Sequence, residues 1–337
     1  MLAAIPSPTT SIWHLGPVPI RAYALCIVAG IVAAALITDR RLNRRGAPKN
    51  AVLDVAVWAV PFGIVGARLY HVVTSWQGYF GPGGDPVKAL YLWEGGLGIW
   101  GAVAGGAVGA WLGCRQIGIP LTVFADALAP GLPVAQAIGR LGNWFNNELY
   151  GGVTSLPWGL TIHQMVGGRA LAGPDGKAVA LPDLYHPTFL YELVWNFGVA
   201  VLVLVSDRRF KLGRGRAFAL YAMGYTVGRF WIELMRSDPA NEILGLRVNV
   251  WVSVLVFVGA LVYFLRVRGP QEFLLPPAEA KPGAPYQVVT EAQFHAAATN
   301  AAWTPVAADQ PTPAEQPSSA DPAGPTDDGA APGGRMS

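Results

Sequence analysis

The sequence predicts an all-α polytopic membrane protein with about seven transmembrane helices, a small extracytoplasmic cap and a disordered C-terminal tail. The 337 residues are 52% hydrophobic and only 13% charged, whereas soluble domains run near about 25% charged. Seven apolar segments, near 20–38, 51–73, 89–113, 119–138, 188–206, 216–235 and 248–267, approach the ~20 residues that a bilayer-spanning helix needs. The 12 tryptophans suit a chain with two membrane–water interfaces, where indole rings settle.

Charge sets the expected orientation. Arg40, Arg41, Arg44, Arg45 and Lys49 follow the first segment, and Arg208, Arg209, Lys211, Arg214 and Arg216 follow the fifth. Arg266 and Arg268 follow the seventh, while the loop between the second and third carries only Lys88. By the positive-inside rule the N-terminus is outside and the C-terminus cytoplasmic, which an odd number of spans also requires. No basic stretch precedes the first apolar run, so that run is expected to stay as a span rather than leave as a signal peptide.

Within the spans, Pro130 and Pro133 predict a kinked or broken fourth helix. Gly101, Gly105 and Gly109 lie four apart on one face, a small-residue seam for close helix packing within or between chains. Cys26 and Cys114 fall in different helices at different depths and read as small packing residues. The expected domains are a membrane domain over 1–268, including a cap segment over 139–187, and a tail over 269–337. That tail is rich in Ala and Pro and has no apolar period.

The informative anomaly is Gly139–Gly152. It sets Arg140, Asn143, Asn146, Asn147 and Glu148 among glycines and aromatics directly after an apolar segment. Unpaired polar groups in lipid cost several kcal/mol, so such a cluster calls for internal partners or a ligand. Helical rise places Arg68, Glu94, Arg140, Glu192, Arg229 and Arg236 in the outer half of the membrane, and Asp126 nearer the inner half. Tyr225, Arg229 and Glu233 are spaced by four and share a helix face. Arginine matches phosphate with a bidentate fork and asparagine adds neutral donors, so the cluster suits a phospholipid head group. The same residues are compatible with salt bridges that only join helices. At this point an enzyme, a transporter or flippase of an anionic lipid or metabolite, and a lipid-binding scaffold remain open.

The stretch Gly139-Arg140-Leu141-Gly142-Asn143-Trp144-Phe145-Asn146-Asn147-Glu148-Leu149-Tyr150-Gly151 resembles the signature of the prolipoprotein diacylglyceryl transferases. Tyr23, Gly66-Ala67-Arg68, Glu94-Gly95-Gly96, Asp126, His186-Pro187-Thr188-Phe189-Leu190-Tyr191-Glu192 and Gly228-Arg229-Phe230-Trp231-Ile232-Glu233 resemble further family positions, in order, over roughly 10–268. The resemblance implies an enzyme of the bacterial cytoplasmic membrane that moves a diacylglyceryl group from phosphatidylglycerol to the lipobox cysteine of a prolipoprotein. A thioether forms and glycerol phosphate leaves. No cofactor, metal or nucleic acid is implied, and the oligomeric state is left open. The family's site carries over as Arg140 and Arg229 on the phosphate, Asn143 and Asn146 on the head group, Glu148 and Glu233 orienting the arginines, and Tyr23 and Tyr225 lining the pocket. Arg68 joins the substrate-binding set, Asp126 reads as structural, and His186 is either a proton-transfer group or a cap on the fifth helix. Many members carry a histidine in the third span where this chain has Trp100, which cannot accept a proton. The base is then His186, a carboxylate or a lipid phosphate oxygen, the histidine is not essential, or the chain is an inactive relative.

Overall fold

The computed structural model describes residues 4–238, 242–278 and 283–299. The last part of the expected tail, 300–337, lies outside the described residues. The apolar runs form helices because only a helix satisfies its own backbone in lipid. They are α1 (Ala22–Arg44), α2 (Ala51–Thr74), a short α3 (Gln77–Phe80), α4 (Ile99–Gln116), α5 (Leu121–Leu128), α6 (Gly131–Asn146), α7 (Thr188–Phe210), α8 (Arg216–Met235) and α9 (Val248–Arg266).

Among the described residues, α1, α2, α7 and α9 are long and apolar enough to cross a membrane; α5 and α6, bent by 45° at their break, make up to five such spans. The expected kink is this bend, beside Pro130. Helices α4 and α8 occupy the third and sixth expected positions without meeting that criterion. Glycine lowers the hydropathy of α4, and polar side chains such as Arg229 and Glu233 lower that of α8.

Two boundaries differ from expectation. The third span was expected from 89, yet α4 starts at Ile99. Short 3-10 turns at Pro86–Leu90 and Leu92–Glu94 precede it, and Gly95 and Gly96 then adopt φ of 85° and 69°, left-handed values that stop a helix. The fourth span was expected to end near 138, yet α6 runs on to Asn146 and stops at Asn147, whose φ is 54°. The first half of the polar motif is therefore the last two turns of a membrane helix. The glycine seam packs within the chain: added Cβ atoms on Gly101, Gly105 and Gly109 would strike the carbonyls of Gly66, Phe62 and Trp58, so α2 and α4 touch backbone to backbone.

The motif end of the bundle carries the expected cap, built as a sheet. Strand β1 (Ile5–Pro6) runs parallel to β4 (Leu160–His163), which is antiparallel to β7 (Ala180–Tyr185). The hairpin β2–β3 (Ile12–Leu15, Val18–Arg21) leads into α1, and β5–β6 (Met165–Val166, Arg169–Ala170) forms a second hairpin. Leu160, Ile162 and Phe189 bury the sheet against α7. Asn147 ties the layers, donating to the Pro8 carbonyl at 2.9 Å and accepting from the His163 N–H at 2.8 Å. The two-residue strands β8 (Glu242–Ile243) and β9 (Leu246–Arg247) lead into α9.

The opposite, basic end is closed by residues expected to be disordered. Strands β10 (Phe273–Leu275) and β11 (Gln287–Val289) pair, and α10 (Glu291–Thr299) follows. Leu274 is fully buried in a core with Leu42, Val55, Cys114 and Val123. The Leu274 N–H donates to the Arg45 carbonyl at 2.7 Å, and the Tyr286 N–H to the Gly118 carbonyl at 2.8 Å. Gly46, Gly118 and Gly213, one in each interhelix turn at this end, leave room for the carbonyls of Leu274, Ala284 and Pro270 that a Cβ would displace. This segment is a clip over the helix ends, so disorder does not begin at 269. Asp126, fully buried, accepts the N–H groups of Gly215 at 2.8 Å and Phe218 at 3.1 Å, capping the start of α8. That is the structural part expected of it.

Candidate functional site

The last turns of α6 and α8 and the first turns of α7 and α9 meet at the motif end. On α6, Arg140 and Asn143 are three apart and share a face. Arg140 Nη2 lies 2.5 Å from Glu192 Oε2 on α7, and its Nη1 donates to Asn143 Oδ1 at 3.2 Å. Asn143 and Asn146 donate to Glu148 Oε1 at 3.0 and 3.1 Å. Glu148 thus holds Arg140 only through Asn143, and the direct carboxylate partner of Arg140 is Glu192. Sequence reading placed Glu192 at this depth without giving it a role. A single intramembrane acid one turn into a helix was the available signal.

On α8, Arg229 Nη2 lies 2.6 Å from Glu233 Oε2, the expected pair at i and i+4. Glu233 is 1% exposed and collects further donors: Arg247 Nη1 at 3.2 Å, Asn249 Nδ2 at 3.2 Å and Arg236 Nη1 at 3.7 Å. Arg236 in turn chelates Asp238 through Nε at 2.7 Å and Nη2 at 2.8 Å. Burial works against the charge on Arg236, but the Asp238 hydrogen bond and the charges of Asp238, Glu233 and Glu192 outweigh it and hold its pKa above the ordinary value. Because Glu192 acts on Arg236, the Arg140 and Arg229 pairs belong to one electrostatic network. Arg247 and Asn249 were not singled out from sequence; their signal is polarity at the start of the most apolar span.

The network leaves the two expected arginines open. Their side chains are 18% and 16% exposed. Among the described residues Glu233 is the only polar partner of Arg229, and Arg140 has no partner on Nε. Guanidinium carries five N–H donors, so both retain donors for an anion.

The remaining expected residues divide. Tyr23 lies against the motif helix, its ring 2.5 Å from where a Cβ on Gly142 would fall. Tyr225, one turn before Arg229, contacts Tyr221 at 6.1 Å between ring centroids and flanks the core of α7 and α8. His186 Nδ1 is 3.3 Å from the Tyr191 hydroxyl, which also accepts from Trp158 at 3.0 Å. Its side chain does not cap α7, whose N-cap is Pro187 without a side-chain bond. Its carbonyl does, accepting the N–H of Thr188, the first residue of α7, at 2.8 Å; its backbone also pairs with Gly151 and Gly152, while Gly152 donates to the Met235 carbonyl at 3.2 Å. The second half of the motif thereby joins α7 to the end of α8. Among the described residues no contact brings Arg68 to Arg140 or Arg229. Its guanidinium is buried and donates to the carbonyls of Lys88, Ala89 (2.8 Å), Gly95 (2.7 Å) and Gly96 (3.0 Å). Trp100 stands in the first turn of α4. Of Glu94 only the backbone is described.

The chain is also similar to known proteins. The family model described as prolipoprotein diacylglyceryl transferase matches residues 10–266. A phosphatidylglycerol–prolipoprotein diacylglyceryl transferase of Mycobacteroides abscessus is 60% identical over 271 residues, 78% of each chain. Proteins of the same description from Rhodococcus jostii and Streptomyces griseus are each 56% identical, over 84% and 83% of this chain and 79% and 84% of theirs.

Proposed function

The chain belongs to the prolipoprotein diacylglyceryl transferase family, and from that premise we propose that Arg140 and Arg229 jointly hold the phosphate of its lipid substrate. It is a multi-pass protein of the bacterial cytoplasmic membrane that transfers the diacylglyceryl group of phosphatidylglycerol to the cysteine of a prolipoprotein. The transporter and scaffold readings of the polar cluster fall away with that assignment.

The observation that carries the site is the open valence of the two arginines. Each is oriented by one buried carboxylate, Glu192 or Glu233, and keeps donors free. In the reaction the cysteine sulfur forms a bond to the glyceryl carbon as that carbon's bond to phosphate oxygen breaks. The bonding pair leaves with glycerol phosphate, where negative charge grows. Arg140 and Arg229 face that growing charge and are worth more there than in water. Asn143, with its amide fixed between Arg140 and Glu148, sets the angle of Arg140, and Tyr23 walls the motif helix beside it. Glu148 and Asn146 hold that arrangement and line the head-group side, with Tyr225 deeper on the Arg229 face.

The thiol must lose its proton, because the thiolate is the nucleophile. Glu192 and Glu233 are ion-paired, Trp100 has no basic atom, and His186 is engaged with Tyr191. The departing phosphate monoester, with a second pKa near about 6, is itself the destination for that proton. Thiol and lipid monoanion then become thioether and glycerol phosphate monoanion, with atoms and charge balanced. The positive-inside pattern supports seven crossings with the motif end facing outward, where a translocated lipobox peptide arrives.

The test is a mass-shift assay with phosphatidylglycerol vesicles and a lipobox peptide. The peptide should gain one diacylglyceryl unit with equimolar release of glycerol phosphate, and Arg140→Ala and Arg229→Ala should each slow both by about 10²–10³-fold. Full activity in both variants would overturn the assignment of the phosphate to these arginines.

A further inference from the structure

A second cationic feature lies at the motif end, between α2 and the segment leading into α4. There an open cleft of about 310 Å³ is lined by Arg68, His71, Ser75, Tyr79, Lys88 and Gly96, among others. Every hydrogen bond of Arg68 goes to a neutral carbonyl, and among the described residues it has no carboxylate partner. Carbonyl dipoles solvate a guanidinium without neutralising it, and of Glu94, next to two of these carbonyls, only the backbone is described. The Arg68 guanidinium also lies over the Tyr79 ring, 5.3 Å from its centroid.

The side chains facing the opening are unpaired in the same sense. Among the described residues neither the Lys88 ammonium, the Ser75 hydroxyl nor the His71 ring nitrogens have a hydrogen-bond or ion-pair partner; His71 makes only an edge contact with Tyr79, at 6.0 Å between centroids. The His71 Nε2 and Arg68 Nη1 both lie within 2.7 Å of where a Cβ on Gly96 would fall, so glycine there is what lets the imidazole and the guanidinium share one wall. Trp76 and Phe80, next in sequence to the lining residues Ser75 and Tyr79, and Trp93, two before Gly95, are exposed at 55%, 50% and 77%. Rings placed so beside a membrane-helix end suit the lipid interface, which favours a lipid over a free solute.

We propose that this cleft is a second phosphate-binding site, separate from the Arg140–Arg229 site, that holds the head group of an anionic phospholipid at the bilayer surface. Lys88, Ser75 and His71 supply the contacts and Arg68 supplies charge from behind. The site feeds lipid to the transferase centre, and in that part it rests on the transferase reading. A free phosphate monoester, such as the departing glycerol phosphate, shares the recognition chemistry and is the alternative source.

The full chain is compared with Lys88→Glu, His71→Gln and Lys88→Arg in phosphatidylcholine nanodiscs containing graded phosphatidylglycerol, with thermal unfolding confirming the fold. Lipid retained per chain is read by native mass spectrometry, and apparent KM and kcat by the peptide mass shift. The expected result is loss of one retained phosphatidylglycerol in Lys88→Glu and His71→Gln, an apparent KM raised about threefold to tenfold with kcat unchanged, and recovery in Lys88→Arg. Unchanged lipid retention with weaker inhibition by added glycerol phosphate would assign the same site to the monoester. Parent-like retention, KM and inhibition in both variants would overturn the proposal. Absence of transfer by the parent would count against the transferase reading instead, while lipid retention would still judge the cleft.

Discussion

The two ends of the helix bundle use the same chemistry to different effect. At the basic end Arg41 and Arg45 pair with Asp207 at 2.8 and 3.4 Å, and both Asp207 oxygens accept from Gln271 at 3.0 Å. Arg41 also donates to the carbonyls of Ala127 and Asp126, each at 3.0 Å. Those groups join α1, α5, α7 and the clip, and little of them faces outward. At the motif end Arg140 and Arg229 each take one carboxylate and leave donors uncovered. An arginine–carboxylate pair is therefore not informative by itself. Donors that are both without a partner and reachable separate a socket from a knot: Arg45 also keeps an unpartnered Nη1, but its side chain is only 4% exposed, against 18% and 16% for Arg140 and Arg229.

That distinction can be broken by substitution. The largest effect is expected for Asp207→Ala, which strands buried Arg45 beside Arg41 and should cost about 3–5 kcal/mol of stability. Unfolding in detergent should show it, with activity per folded molecule close to the parent. Arg229→Ala should do the reverse, lowering kcat/KM about 10²–10³-fold while the unfolding midpoint hardly moves. A large fall in that midpoint would make Arg229 a structural residue after all. Next comes Glu192→Gln, which keeps the shape but loosens Arg140. A charged hydrogen bond of about 1.5–3 kcal/mol predicts roughly tenfold to hundredfold lower kcat/KM, and parent-like kinetics would show that Arg140 needs no carboxylate.

The smallest effect concerns pH. Burial raises the Asp238 pKa, but the hydrogen bond and charge of Arg236 and the charge of Arg247 outweigh it, leaving it below the ordinary value. A carboxyl depressed in the folded state contributes stability that is complete above its unfolded pKa of about 3.9 and is lost as pH falls through the folded value. Protection factors of amides at the start of α9, with the intrinsic pH dependence of exchange divided out, should therefore stay level from neutral pH to about pH 4 and fall only in stronger acid. A fall near pH 6 would point to another group.

Much of this was legible in the chain because it is written locally. Apolar run length marked the helices, Pro130 marked the bend, and the four-residue spacing of Gly101, Gly105 and Gly109 marked a close approach. The i, i+4 spacing of Arg229 and Glu233 marked their pair. What was not legible is set by distant partners. Nothing around Arg140 names Glu192, and nothing around Arg68 says that backbone carbonyls of 88–96 will surround it. Glu148 sits near Arg140 in sequence, yet a helix end and an asparagine intervene. The clip escaped because its Ala/Pro composition resembles disorder while its order depends on a few residues, chiefly Leu274 and Tyr286, meeting turns more than a hundred positions earlier.

The clip also has a place in time. Residues 269–299 are synthesised after α9, when the helices they fasten have already left the ribosome in order. The bundle is thus assembled with its basic end unfastened, and the three turns holding Gly46, Gly118 and Gly213 are joined only as this stretch arrives. A chain stopped at 268 should still insert into the membrane but remain at that unlatched stage, open to protease at the basic end, whereas one stopped at 299 should resist as the full chain does.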